Sequence, residues 1–371
     1  MKNPKVSVVI PAYNHEKYVG EAIQSVLDQT FQDFELIIIN DGSTDNTEAE
    51  ILKFKDDRIR YYTQENRGLS PTLNRGIELA QGEFFNFLPS DDVFLPEKLA
   101  TQLKAFEEPK EIGVVFSYHL VVDGEGKEVK DDPIVDWFTV PFETKEEIFP
   151  ALFERDFLSA PTALVKMECF KKVGLFDESL KTAQDYDMWM RILKYYELRL
   201  IKRPLLRLRW HGANLTYRPT PETETERAKV LLKAYKNLNI EDIFPSLHQR
   251  KDAFPYAQAY EKLATYMEKS GIPALLPISQ IYKNRAKHLA EKKEDLFLLK
   301  REDKEEIEER FYQGGLGEDL GKVHLLIETG SLDKGGLEEV IYGIVTHLDP
   351  DLFLPVVVCI EAGGFTADRI R

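Results

Sequence analysis

The chain has 371 residues, 43% of them hydrophobic and 30% charged, with 22 Phe and 16 Tyr; this composition builds packed cores and excludes a disordered polypeptide. That length exceeds one core of ordinary size and predicts two or three domains. The formal net charge of −15 argues against nucleic acid or an anionic membrane surface as the main partner, and it favours solubility.

Cys169 and Cys359 lie far apart with no CxxC spacing, so no disulfide framework or zinc site is readable. A reducing, cytoplasmic location is expected. No uncharged apolar run is long enough to span a bilayer, and the first residues resemble a strand rather than a cleavable signal.

In chain order, residues 6–10 are apolar and β-branched, and Val19, Ile23, Val26 and Leu27 recur at helical spacing, which makes one βα unit. A buried strand over 34–39 follows, then a helix over 45–54 with Asp45 and Glu48 at capping-box spacing. A strand over 59–63, a helix over 70–81 with Pro71 at its first position and Gly82 as its stop, and a strand over 83–88 continue the alternation. Repeated βα units predict an α/β fold with a doubly wound, largely parallel sheet. Beyond Asp92 the pattern loosens. A helix is expected over 96–106, a strand over 112–122, a turn over 123–126, a helix over 185–195 and two short strands over 198–202 and 205–210. From 222 to 312 the chain is Lys/Glu-rich with helical spacing at Leu231, Leu232, Tyr235 and Leu238. A new βαβ unit starts near Val323 and stops at Arg371, far short of a Rossmann-type domain, so the polypeptide is expected to continue. The expected domains are therefore 1–218, a helical extension over 219–318, and an incomplete βαβ segment over 319–371.

Five clusters carry candidate chemistry. Pro11, Ala12, Tyr13 and Asn14 end the first strand, and Asn40, Asp41, Gly42 and Ser43 end the second; in an open α/β sheet both would face one crevice beyond the carboxyl ends. A nucleoside fits there, with Tyr13 stacking on a base and Asp41 accepting from an imide or ribose, although either cluster could also be a simple helix cap or turn. Arg67, in the loop Glu65-Asn66-Arg67-Gly68, could reach a diphosphate or remain solvated. Ser90, Asp91 and Asp92 follow a very apolar strand; adjacent carboxylates repel one another, which makes sense if a hard cation such as Mg²⁺ or Mn²⁺ sits there, or if they cap the next helix. Asp185 opens a helix and is either a general base or an N-cap, with Asp187 a solvated neighbour. His211 could ligate a metal and Arg209 neutralise phosphate, or His211 could be an ordinary surface histidine.

In order, the segments VSVVIPAYN, IINDGSTDNT, ENRG, SDD, GLFDE, QDYDMW and RWHG resemble the family 2 glycosyltransferases of the GT-A fold, over residues 6–216. The resemblance implies that Pro11, Ala12, Tyr13, Asn14, Asp41, Arg67 and Ser90 bind a nucleotide-diphosphate sugar, most simply a UDP-sugar. It implies that Asp91 matches the metal-binding carboxylate of a DxD motif, that His211 lies near metal and diphosphate, and that Asp185 is the catalytic base of an inverting displacement. The implied acceptor is a glycan or lipid-linked glycan, met peripherally if it lies in a membrane. Two positions depart from the family: Pro89 replaces the first Asp of DxD, with Ser90 or Asp92 as substitutes, and Gln184 replaces a Glu whose charge would raise the pKa of Asp185. These departures leave a catalytically silent nucleotide-sugar-binding module as the alternative. Residues 322–371 resemble the start of a GT-B, family 4-like glycosyltransferase and imply a bifunctional parent; a small αβ appendage is the other possibility. No GxGxxG follows a strand and no GxxxxGK[ST] occurs, which argues against a dehydrogenase and a P-loop kinase.

Overall fold

The computed structural model describes residues 3–107, 111–130, 138, 140, 142–211, 220–250, 253–291, 323–327 and 353–357. The amino-terminal half alternates β1 (Val6–Ala12), α1 (Val19–Leu27), β2 (Phe34–Asp41), α2 (Thr47–Ile51), β3 (Ile59–Gln64), α3 (Leu69–Leu79) and β4 (Phe84–Phe87). Then come β5 (Val93–Phe94), α4 (Lys98–Ala105), β6 (Ile112–Val122), α5 (Lys145–Ala151), a 3₁₀ turn (Ala160–Thr162), β7 (Leu164–Lys166), α6 (Met167–Val173), α7 (Gln184–Tyr195) and β8 (Glu197–Arg209). These strands form one eight-stranded sheet in the order β3-β2-β1-β4-β7-β6-β8-β5.

The first four strands of that order are parallel, β7 runs antiparallel to both β4 and β6, and β8 is parallel to β6. β1 and β2 are buried on both faces, which is why their centres, residues 8–10 and 36–39, read as continuous apolar runs. Val8, Ile10, Leu36 and Ile38 pack with α1, while Val9, Ile37 and Ile39 pack into a second core with Leu73 and Ile77 of α3. Helix α3 lies so close that a Cβ on Gly76 would stand 2.7 Å from Val9 Cγ1.

Several elements differ from the sequence expectation for identifiable reasons. The strands expected over 198–202 and 205–210 are one strand: Ser117 faces Ile201 and the next residue, Tyr118, faces Pro204, so residues 202 and 203 bulge out ahead of a proline that has no N–H to donate. Helix α2 is shorter than 45–54, and Asp45 and Glu48 form no capping box. Asp45 accepts instead from the Thr47 and Glu16 amides, and Glu48 accepts from the Tyr61 hydroxyl. Helix α3 starts at Leu69 behind Gly68 (φ +87°), so Pro71 is its third residue rather than its first. The segment between 123 and 184 holds α5, β7 and α6; the Thr144/Glu147 capping box that starts α5 is in the sequence and was passed over.

The helical extension comprises α8 (Pro221–Asn237), α9 (Ile240–Ile243), α10 (Ala253–Lys269) and α11 (Leu276–Glu291). Val230, Leu231 and Ala234 of α8 join the same core as Trp189 and Ile192 of α7, so these helices share a core with the sheet instead of forming an isolated bundle. The expected boundary near 218 and the rest of the extension to 318 lie outside the described residues. β9 (Val323–Ile327) and β10 (Phe353–Val357) pair in parallel, as the two strands of a βαβ unit do. The helix of the expected βαβ unit lies outside the described residues.

Candidate active site

β1, β2, β3 and β4 deliver their carboxyl ends to one edge of the sheet, and that edge collects most of the candidate residues. Pro11 is half-buried and Ala12 buried at the end of β1, while Tyr13 is 45% exposed with its ring open to solvent. Asn14 has φ +53°, a left-handed conformation that Asn tolerates better than most residues. Its Oδ1 accepts from the Thr44 amide at 2.8 Å and its own amide donates to Ser43 Oγ at 3.1 Å, so the loops after β1 and β2 are stitched together.

Asp41 is buried, and its carboxylate is held by the third loop. Gln64 Nε2 (2.7 Å) and the Arg67 amide (2.9 Å) donate to Oδ1, and the Gly68 amide (2.9 Å) donates to Oδ2. Gly42 (φ +73°) makes this contact possible, because a Cβ there would stand 2.7 Å from the Asn66 amide nitrogen. Arg67 is exposed and stands in a loose ion pair, 4.0 Å from Glu178.

Ser90, Asp91 and Asp92 follow β4 and are all buried. Asp92 is tied down: Oδ1 accepts from the Arg209 amide at 2.8 Å, and burial together with the Asp91 charge pushes its carboxyl well above the usual range. Asp91 Oδ2 lies 3.1 Å from His211 Nε2. His211 comes directly after β8, stacks on Tyr18 at 5.4 Å, and sits beside His15, whose Nδ1 lies 2.7 Å from Ser90 Oγ. Among the described residues, donor atoms of His15, Asp91 and His211 lie within 4.8 Å of one another, and this set of one carboxylate and two imidazoles fits a divalent cation. Burial lowers the His15 pKa, the Asp91 charge opposing it.

Arg209 departs from its expected role. Its guanidinium donates to the carbonyls of Asp91 (2.8 Å), Asp123 (3.3 Å) and Gly124 (3.2 Å), pairs with Glu21 at 2.6 Å, and lies over the Tyr18 ring. It braces the backbone that presents Asp91, and with those bonds made it is not offered to phosphate.

Asp185 sits in the first turn of α7, its Oδ1 accepting from the Tyr186 amide at 2.9 Å. Burial raises its pKa to about 6, against that hydrogen bond. Gln184 was expected to leave Asp185 without such a rise; burial supplies it instead. Gln184 is itself buried, with Oε1 lacking a hydrogen-bond partner among the described residues. Asp187 is no solvated neighbour: it is buried and ion-paired with Arg191 (2.7 Å) and Lys233 (2.8 Å).

Two sets of bonds tie the segments around Asp185 to the strand ends that carry Asp91. The loop 176–183 before α7 is bound to α3, which rises from that edge: Asn74 exchanges hydrogen bonds with Phe176 (2.9 and 3.0 Å), and Ser70 Oγ donates to the Leu180 carbonyl at 3.0 Å. From the other side, β7 runs antiparallel to β4, so the loop that enters β7 lies where β4 delivers Asp91. That loop carries Asp156, whose carboxyl is pushed well up by burial and by the Asp185 charge. Asp156, His15 and Tyr18 were missed from sequence. His15 and Tyr18 follow the Pro11–Asn14 cluster directly and could have been found by extending it; Asp156 sits in a stretch with no local signal.

Comparisons with known proteins identify the family. The family model described as glycosyl transferase family 2 matches residues 7–174. An uncharacterized glycosyltransferase of Methanocaldococcus jannaschii is 34% identical over 215 residues, covering 56% of this chain and 72% of its own length. One from Rickettsia typhi is 36% identical over 220 residues, covering 58% of this chain and 66% of its own. Chondroitin synthase of Escherichia coli is 27% identical over 240 residues, 64% of this chain and 33% of that protein. The chain spans 30% to 66% of the length of the matched Rickettsia relatives. S. aureus TarS 1-349 shares the fold, with a TM-score of 0.51 at 18% identity over 77% of this chain and 90% of its own. Its complex with UDP gives a TM-score of 0.50 at 20% identity over 77% and 88%. The ordered run of site residues, the sheet topology and the archaeal relative matched over most of its length lead to one conclusion: the chain belongs to glycosyltransferase family 2 and has its GT-A fold.

Proposed function

We propose that the protein is an inverting glycosyltransferase that moves a sugar from a nucleotide-diphosphate sugar, with uridine as the base, onto an acceptor hydroxyl during glycan or polysaccharide assembly. The observation that carries this reading is the 3.1 Å Asp91–His211 pair beyond the carboxyl end of β4, with Tyr13, Asn14 and Asp41 at the ends of the neighbouring parallel strands and the loop before Asp185 bonded to α3. Tyr13 supplies an open ring for the base, Pro11 and Ala12 line the strand end beneath it, and Ser90 and Arg67 flank the phosphates. Asp41 acts chiefly by fixing the loop that carries Arg67, with its remaining lone pairs turned to the nucleoside.

Asp185, with a pKa of about 6, is largely ionised at neutral pH yet basic enough to take a proton, the compromise a general base needs. It removes the acceptor hydroxyl proton as the acceptor oxygen bonds to the anomeric carbon. The carbon–oxygen bond to the diphosphate breaks on the opposite face, which inverts the centre and releases a nucleoside diphosphate. Asp91 and His211 would hold a Mg²⁺ or Mn²⁺ ion, which supplies positive charge against the departing diphosphate. Similarity to chondroitin synthase over 33% of that protein supports a role in building a sugar polymer. No helix among the described residues is long and apolar enough to cross a membrane. The proposed place of action is the cytoplasm, with a lipid-linked acceptor reached at the membrane surface.

Pro89 and Gln184 favour a second reading, a nucleotide-sugar-binding module without turnover. A thermal-shift panel of nucleotides and nucleotide sugars, with and without Mg²⁺ or Mn²⁺, tests the donor class. Stabilisation by a uridine diphosphate sugar that depends on the cation supports the proposal; no response to any nucleotide refutes both readings.

A further inference from the structure

Pro89 offers no oxygen donor two positions before Asp91, where the motif it resembles has a carboxylate. Neither substitute read from the sequence takes its place. The Ser90 hydroxyl is occupied by His15 Nδ1 at 2.7 Å, and Asp92 is held by the Arg209 amide at 2.8 Å. The side chain that enters the cluster is His15, whose donor atom lies within 4.8 Å of those of Asp91 and His211. We propose that His15 is a third ligand of the cation, making a two-histidine, one-carboxylate centre that binds Mn²⁺ in preference to Mg²⁺. This rests on the glycosyltransferase reading of the same site.

Three observations support it. First, the contact between Nδ1 and Ser90 Oγ fixes the His15 ring beside Asp91, the pattern in which a neighbouring polar group orients a ligating imidazole. Second, His15 is fixed before any ion arrives: its amide donates to Thr47 Oγ1 at 2.8 Å, and its carbonyl accepts from the Tyr18 and Val19 amides at 3.0 Å each. Third, the Asp91 and His211 donors that His15 would join are spaced for shared coordination. Two donors at right angles about one ion, each ~2.1 Å from it, stand about 3 Å apart, and Asp91 Oδ2 and His211 Nε2 are 3.1 Å apart. The His15 and His211 rings meet edge to face, 6.1 Å between centroids, so both can point at one centre without stacking on each other. The preference follows from the donor atoms: imidazole nitrogen suits first-row transition ions, whereas Mg²⁺ favours oxygen and water.

The test is direct cation binding by the full chain, stripped of metal and free of nucleotide, with free Mn²⁺ followed by electron paramagnetic resonance and Mg²⁺ as competitor. One Mn²⁺ per chain is expected, bound at least ~10-fold more tightly than Mg²⁺. His15→Ala should weaken Mn²⁺ by roughly 10-fold or more and narrow its margin over Mg²⁺, and Ser90→Ala should have a smaller effect in the same direction. His15→Asp, which restores a carboxylate, should shift the preference toward Mg²⁺. The proposal is overturned if His15→Ala and His15→Asp keep wild-type affinity and selectivity while Asp91→Ala loses the ion. If Asp91→Ala and His211→Ala also bind as wild type, the underlying site is wrong as well.

Discussion

Glu226 of α8 accepts hydrogen bonds from the amide and hydroxyl of Thr182, at 2.8 and 2.9 Å, three residues before Asp185. The Lys181 (2.9 Å) and Ala183 (3.1 Å) amides donate to the same carboxylate. The helical extension thus holds the loop that presents the proposed base. Burial would raise the Glu226 pKa, but these donors outweigh it and hold the carboxyl below its usual range.

Removing that carboxylate strands three backbone donors. Glu226→Ala should destabilise the protein by about 2 kcal/mol or more and lower kcat several-fold while leaving nucleotide affinity nearly unchanged. Because the folded pKa is depressed, the stability Glu226 contributes is present above the unfolded value and lost as pH falls through the folded one. Urea unfolding of wild type and Glu226→Ala at pH 7 and pH 3 checks this: the gap should shrink at pH 3.

Asp185→Asn should reduce transfer by ~10²-fold or more with nucleotide binding preserved. It should also stabilise the fold at high pH. A carboxyl whose folded pKa is raised to about 6 destabilises the native state once pH exceeds its unfolded value, and the neutral amide escapes that cost. Melting temperatures should therefore favour Asp185→Asn by a few degrees at pH 8 and converge at pH 4.

The same group sets the pH–rate profile. With a base of pKa about 6, kcat/KM should fall tenfold per unit below pH 6 and be level above it. A profile flat down to pH 4.5 would remove Asp185 from the proton-transfer role. The Asp156 carboxyl beside it is pushed well up by burial and by the Asp185 charge.

Asp91→Ala should erase the effect of divalent cation on nucleotide affinity. Calorimetric titration of UDP with and without Mn²⁺ measures it: wild type should bind several-fold more tightly with the ion, and the variant equally in both. A retained metal effect in Asp91→Ala would place the cation elsewhere.

The central sheet was legible because β1 and β2, buried on both faces, carry the apolar, mostly β-branched stretches 8–10 and 36–39, and because α1 and α3 carry one apolar stripe each. The strand-end clusters were legible because the chemistry sits in contiguous letters. What escaped depends on distant partners. His15 looks like a surface residue until β4 brings Ser90 and Asp91 beside it, and Arg209 looks available to phosphate until three carbonyls and Glu21 surround it. Asp156 lies among very short elements positioned by tertiary bonds, such as that from Asn86 Nδ2 to the Ala163 carbonyl. Asp187 reads as solvated because its partner Lys233 lies on another helix, 46 positions along the chain.

The most direct test of the central claim is the release of nucleoside diphosphate from a uridine diphosphate sugar, measured with Mn²⁺ and an acceptor glycan for wild type and Asp185→Asn. Release by wild type that needs the cation and is lost in the variant is the predicted result. Nucleotide-induced thermal stabilisation without release, the same in both proteins, would make the chain a binding module and contradict the enzymatic account.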